Sequence, residues 1–549
     1  MQINFNDQAK NFLQKGVSEL AAKDFTAKLY NHQANLWKTE EEHTKIINNS
    51  LGWTEVYNWT LEHLKEIQDF ALSVKDTYKH VVLMGMGGSS LAPEVLRVLF
   101  GKKENWPTLI VLDSTNPDWV AKVRKQIDPA KTLFIFASKS GGTVEPSSQF
   151  AYFYEEVALA KVANPGDNFI AITDPGTGLE NLAKEKKFRK IFLNKADIGG
   201  RFSALSFFGM VPAALSGIDI EPILKSAKTF GDSVKNNTEK APLELGALMG
   251  EGFLNKKDKL TLLMPREIDT FGLWIEQLVA ESTGKENCGV VPVAGEGVYK
   301  DFAYQQDRIF VHINFDSQDN LKVKEVLPSL EKNHPVAQVK MANLNAIGEQ
   351  FLLWEIATAA CGAIMKINPF DQPNVQAAKT LAKGILEDLS KGNKDPQAEA
   401  KLLLSENLQG KVTLENLGKD ILKLVKPNDY IALLAYLNET PQIDNTLKHI
   451  RENLLNSSKA AVLFGYGPRY LHSTGQLHKG DGGNGIFIIL SAQPEQEVSI
   501  PKQSYSFGDL VSAQALADFK ALSQKGRRVI KIHLKKPVLE NLNELSKLF

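Results

Sequence analysis

Residues 80–90, HVVLMGMGGSS, and residues 132–143, TLFIFASKSGGT, decide the fold. Each starts as a short apolar run, breaks at glycine and serine, and leads into a helical segment. SSLAPEVLRVLF follows the first run and EPSSQFAYFYEEVAL the second. A strand that is apolar throughout is buried on both faces, as in a parallel sheet covered by helices. Working outward, LIVLDS (109–114) and FIAITD (169–174) repeat the strand pattern, with PDWVAKVRKQI (117–127) as a helix between them. The alternation predicts a doubly wound parallel α/β sheet.

The pattern restarts at KLTLLMP (259–265), with LWIEQLVAES (273–282) as its helix and DRIFVHI (307–313) as its next strand. It returns a third time in YIALLAY, AAVLFGY, GIFIIL and RRVIKIHL, between residues 430 and 534. Before residue 79 the apolar positions Leu61, Leu64 and Ile67 have helical spacing. The reading is therefore a helical N-terminal segment over 1–78 and a first α/β domain with linking helices over 79–250. A second α/β domain covers 251–391, and an additional C-terminal α/β region covers 392–549. The polar stretch GNKDPQAEAKLL (392–403) reads as a linker or surface helix.

The 64 basic and 64 acidic residues cancel, so nothing in the overall charge calls for nucleic acid or an anionic membrane. FLLWEIATAACGAIM carries Glu355 and is too short to span a bilayer. The N-terminus lacks the basic start and apolar run of a signal peptide. Cys288 and Cys361 cannot build a disulfide framework or a zinc cluster. A cytoplasmic chain without metal or nucleotide cofactor is expected.

Both strand-to-helix junctions carry the residues of an anion site. Gly85, Gly87 and Gly88 permit close backbone approach before Ser89 and Ser90; Lys139, Ser140, Gly141, Gly142 and Thr143 follow Ser138 in the second. Free N–H groups and the helix dipole favour an anion there, and hydroxyls add donors. Capped helices use the same residue types, so MGMGGSS alone fits either reading. It also resembles a degraded dinucleotide fingerprint, but Ser90 stands where the third glycine belongs. In SKSGGT three hydroxyl residues surround two glycines, which suits a monophosphate better than a pyrophosphate.

With both junctions in view, the chain resembles the sugar isomerase (SIS) domain class. Three stretches narrow the resemblance to the phosphoglucose isomerase family: IGGRFSALSFFGMVPAAL, VAESTGK and NPFDQPNVQAAK. The wording of MGMGGSSLAPE and GPRYLHSTGQLHKG is most similar to the isomerase half of fused transaldolase–phosphoglucose isomerases, without a transaldolase portion. The resemblance implies two flavodoxin-like SIS domains and a homodimer whose site lies at the subunit interface. It implies interconversion of glucose 6-phosphate and fructose 6-phosphate through a cis-enediolate, in glycolysis and gluconeogenesis.

The same resemblance assigns residues. Glu281 is the base, Arg201 beside Gly200 steadies the enediolate, and Lys379 aids ring opening with Gln372 near the substrate. Gly88, Ser89, Ser138, Lys139, Ser140 and Thr143 match phosphate and sugar contacts, and Glu145 orients the site. The family's ring-opening histidine lies between the glutamate and lysine segments in the pattern H-S-x-x-Q-L-x-H-x-G, contributed by the partner subunit. Here only His312 and His334 fall in that interval, and neither fits. HSTGQLHKG, beginning at His472, matches with one position deleted, but follows the lysine. His472 is the expected ring-opening group and His478 the alternative. Two other classes compete. A non-catalytic sugar-phosphate sensor would need neither Glu281 nor Arg201, and a nicotinamide-dependent dehydrogenase would need a cofactor pocket at MGMGGSS.

Overall fold

A computed structural model of the chain describes residues 2–315, 321–393 and 395–549. It opens with strand β1 (Gln2–Phe5), which pairs with a sheet formed much later. The first sheet consists of β2 (His80–Met84), β3 (Thr108–Leu112), β4 (Thr132–Ala137), β5 (Phe169–Thr173) and β6 (Lys190–Leu193). Its order is β3-β2-β4-β5-β6, all parallel. The second contains β7 (Lys259–Leu263), β8 (Val291–Val293), β9 (Arg308–Phe315) and β10 (Val336–Met341), in the order β8-β7-β9-β10 with β1 antiparallel at the edge. The third contains β11 (Leu402–Leu404), β12 (Tyr430–Tyr436), β13 (Ala461–Tyr466), β14 (Gly485–Ala492) and β15 (Arg528–Leu534). Its order is β13-β12-β14-β15, with β11 antiparallel at the edge.

The same arrangement thus occurs three times. In each sheet the first parallel strand lies between the second and third, as in flavodoxin-like folds. Central strands are buried throughout, as the continuous apolar runs require: all of β4, β5 and β12 is inaccessible to solvent. The C-terminal region is a third doubly wound unit, beyond the two that the sequence reading assigned to that class.

Two corrections concern short elements. Residues 1–78 contain β1 as well as helices; four residues, QINF, are too few for a strand period to stand out. Of the two readings of the stretch 392–403, linker or surface helix, the helix is excluded over its described residues, where a short 3-10 turn (Pro396–Glu399) runs into β11.

The third unit is bound to the other two by shared cores. Phe507, Leu510 and Ala513 pack into the cluster beneath the first sheet, with Phe150 and Leu179. Leu477 and Tyr470 join a cluster containing Ala280 and Val291 of the second unit. Gly284, at the end of the helix Asp269–Thr283, allows the closest of these approaches. A Cβ there would lie 2.3 Å from Leu477 Cα and 2.7 Å from the Ala280 carbonyl oxygen.

Because the obstruction is partly backbone, Gly284→Ala should destabilise by about 1–3 kcal/mol. Gly384→Ala, in open space within the helix Val375–Ser390, is the control and should be neutral or slightly stabilising. Thermal unfolding midpoints distinguish the two; equal midpoints would remove the packing claim.

Candidate active site

The two glycine–serine loops leave β2 and β4 side by side, at the switch point where the strand order reverses and where ligands bind in such sheets. In the second loop Ser138 is buried, and its hydroxyl lies 3.2 Å from that of Thr143 and accepts from the Gly141 N–H at 3.1 Å. Thr143 is the N-cap of the helix Val144–Leu159, yet no side chain caps that helix end. Ser140 is exposed above it. Lys139 turns away to pair with Asp174 and to donate to the Ala196 carbonyl. The loop therefore presents hydroxyls and a helix N-terminus, and its lysine is already engaged.

The first loop does something else. Gly87 has φ +55°, and a Cβ on it would lie 2.7 Å from the His472 carbonyl oxygen. On Gly88 a Cβ would fall 1.9 Å from the Gly200 carbonyl oxygen. Backbone approach is thus the demand these glycines meet, and it seats both the Arg201 turn and the His472 segment against the first unit. Ser89 is half-buried, and the Ser90 hydroxyl bonds back to the Gly87 carbonyl.

Arg201 is buried and fully engaged. Its Nε donates to Ser282 Oγ at 2.7 Å, and one terminal nitrogen donates to the carbonyls of Pro369 (2.5 Å) and Asp371 (3.2 Å). The other terminal nitrogen stands 3.7 Å from Glu281 Oε2. Glu281 itself is 5% exposed. Burial raises its pKa above the ordinary carboxylate value, against the opposing charges of Arg201, Lys285 and His472. Lys285 does not pair with Glu281: its ammonium donates to the carboxylate and carbonyl of Asp371, and burial lowers its pKa to about 8. The Gln277 amide, one turn before Glu281, donates to Glu281 Oε2 at 3.2 Å and to the His472 carbonyl at 2.9 Å.

His472 comes from the C-terminal unit of the same chain. Its Nε2 lies 2.8 Å from Glu145 Oε1, and the Gln514 amide donates to that same oxygen at 2.8 Å. Burial would push Glu145 up, but the histidine's charge and hydrogen bond outweigh it and hold the carboxyl below its usual value. The surroundings of Glu145 and Glu281 thus drive the two carboxylates in opposite directions.

A cavity of about 950 Å³ opens beside this cluster, with Ser140, Thr143, Glu145, Lys379, His472 and Gln514 on its wall. Arg201, Glu281 and Gln372 are not wall residues; the first two sit behind it, joined to it through Gln277. Lys379 is exposed on the helix Val375–Ser390, and its charge acts on Glu145. Gln372 is exposed in the turn before that helix. Asp371 and Pro373 do not begin it: Asn374 is the N-cap, held by a reciprocal pair of hydrogen bonds to Gln476. His478 lies outside the site, in aromatic packing with Tyr430, Tyr470 and Phe487, and neither ring nitrogen has a hydrogen-bond partner. Burial holds its pKa well below that of free histidine.

Sequence reasoning missed Gln277, Lys285 and Gln514. The first could have been found, because it precedes Glu281 by four positions and so shares its helix face. Gln514 has no local signal, since it meets Glu145 across 369 residues.

Sheet order and loop placement define a doubly wound α/β protein with a candidate site at the switch point of its first sheet. The sequence model of the phosphoglucose isomerase family matches residues 62–296. A probable glucose-6-phosphate isomerase of Methanococcus maripaludis is 27% identical over 378 residues, covering 62% of this chain and 84% of its own. The glucose-6-phosphate isomerase of Carboxydothermus hydrogenoformans is 27% identical over 446 residues, covering 70% and 94%. Among solved structures, a hypothetical protein from Thermus thermophilus superposes with a TM-score of 0.60 at 20% identity, covering 70% of this chain and 99% of its own. A glucose-6-phosphate isomerase from Chlamydia trachomatis gives 0.57 at 18% identity, covering 70% and 87%. These structural likenesses establish the shared fold. No described helix is long and apolar enough to cross a membrane.

The two histidines should separate cleanly on mutation. His472→Gln is expected to cost about 10²–10⁴ in isomerase turnover. His478→Leu, replacing an unpartnered polar ring by an apolar group, should leave turnover and stability near those of the parent. Steady-state rates and unfolding midpoints of both variants make the check, and normal turnover in His472→Gln would remove that residue from the site.

Proposed function

We propose that this chain interconverts D-glucose 6-phosphate and D-fructose 6-phosphate. The observation that carries this reading is Glu281: a buried carboxylate of raised pKa, 3.7 Å from Arg201 and linked through Gln277 to His472. Aldose–ketose isomerisation needs such a base, placed near a fixed positive charge and an acid–base group for the sugar ring.

The phosphate is held at the N-terminus of the helix Val144–Leu159 by the hydroxyls of Ser138, Ser140 and Thr143. Gly88, Ser89, Gly200 and Gln372 complete the contacts that the family resemblance implies. Lys139, through its pair with Asp174, fixes the loop's shape instead of touching phosphate. His472 gives a proton to the ring oxygen as the anomeric hydroxyl loses one, so the ring C–O bond breaks and the carbonyl forms; Lys379 assists there. Glu281 then takes the proton from C2 of the aldose and returns it to C1. The electron pair passes through a cis-enediolate whose oxygen charge Arg201 stabilises. Reduction at C1 and oxidation at C2 balance within the substrate, so the scheme requires no external redox partner. This is a cytoplasmic reaction of glycolysis and gluconeogenesis, and the resemblance adds a homodimer as the assembly.

A coupled assay following fructose 6-phosphate to glucose 6-phosphate tests the base. Glu281→Gln should lower kcat by about 10²–10⁴ with a small change in KM; undiminished turnover would sink the assignment. The pH profile tests its surroundings. Only the ionised carboxylate accepts a proton, so kcat/KM falls on the acid side as pH drops through the Glu281 pKa. Burial places that limb above the free glutamate value, and Arg201 opposes the shift. Arg201→Met should therefore move the acid limb to higher pH as well as reduce the rate. A limb that stays put or moves down would break the proposed coupling.

A further inference from the structure

We propose that Gln514, on the helix Phe507–Gln524 of the C-terminal unit, is a positioning residue for ring opening; this rests on the isomerase reading above. Its amide is almost completely buried and is fixed at both ends. The Thr115 hydroxyl donates to its Oε1 at 2.8 Å, which leaves Nε2 to face Glu145 Oε1, also at 2.8 Å. Thr115 is itself fully buried, at the carboxyl end of β3. A carboxylate can only accept, so the Gln514 amide has one workable orientation here.

That oxygen of Glu145 is the one bonded to His472 Nε2. Gln514 occupies part of that oxygen's acceptor capacity, which narrows the approaches left to the histidine ring. A second effect follows from charge. A hydrogen bond donated to a carboxylate favours its ionised form, and the Gln514 amide donates to Glu145 in a site where burial pushes the other way. The line Thr115–Gln514–Glu145–His472 thus runs from the first unit into the third, back to the first and into the third again, and Gln514 holds the carboxylate both charged and aimed. It touches no reacting atom, so its influence passes through Glu145 to the ring-opening histidine. The hydroxyl loop and Glu281 are anchored independently of it.

The test separates ring opening from proton transfer. Fructose 6-phosphate is compared with its 5-deoxy analogue, which lacks the hydroxyl that closes the furanose and therefore has no ring to open. Gln514→Met preserves length and apolar bulk but removes the donor. It should lower kcat on fructose 6-phosphate at least ~10-fold, with KM within about twofold, and leave turnover of the 5-deoxy analogue at the parental rate. Thr115→Val, which frees the amide to rotate, should show a smaller loss with the same substrate dependence, so the proposal stands even if the first variant folds poorly. Equal losses on both substrates would reduce Gln514 to a packing residue, and full activity on both would remove it altogether. A parental enzyme inert toward both substrates would instead overturn the isomerase reading itself.

Discussion

Glu281 is a charge-bearing group almost withdrawn from water, and much of the architecture is organised around that cost. An isolated buried carboxylate is heavily penalised, so partners must surround it. Arg201 provides one, but a buried guanidinium has needs of its own, met by Ser282 and the carbonyls of Pro369 and Asp371. Asp371 in turn satisfies Lys285. Each requirement draws in another segment, until residues from the first and second units converge on the end of one helix. The Gln277 amide then joins the cluster to the third unit through the His472 carbonyl.

The close approaches that assemble this cluster explain its glycines. Gly88 lets the Gly200–Arg201 turn lie against the β2 loop, and Gly87 admits the His472 backbone. In the sequence these residues read equally well as an anion loop or a helix cap. Local pattern cannot tell which partner a glycine makes room for, because that partner is more than a hundred residues away.

Strands buried on both faces were legible because nothing polar interrupts them, and so were the loops that end β2 and β4. The stretches around Arg201 and Glu281 pointed to one place, and the structure brings the two side chains within 3.7 Å of each other. Less visible were the short edge strands β1, β8 and β11, whose three or four residues carry no period. The pairing of Lys139 was not visible either, since its partner Asp174 follows a different strand, β5. The reuse of one strand order in all three sheets was hidden too, for topology is set by pairing across the sheet, and the apolar runs record only burial. His472 was recognisable by its surrounding residues despite its displaced position along the chain, whereas Gln514 had no such neighbours.

The third unit packs against the first two through continuous apolar cores, with Phe507, Leu510, Tyr470 and Leu477 as principal anchors. His472 and Glu145 are consequently joined by one polypeptide, 327 residues apart in sequence yet hydrogen-bonded in space. A group delivered in this way is present at a local concentration set by covalent connectivity, which dilution of the protein cannot lower. Meeting of the two side chains becomes part of folding, and its strength varies with the stability of the interdomain cores and not with the abundance of the chain.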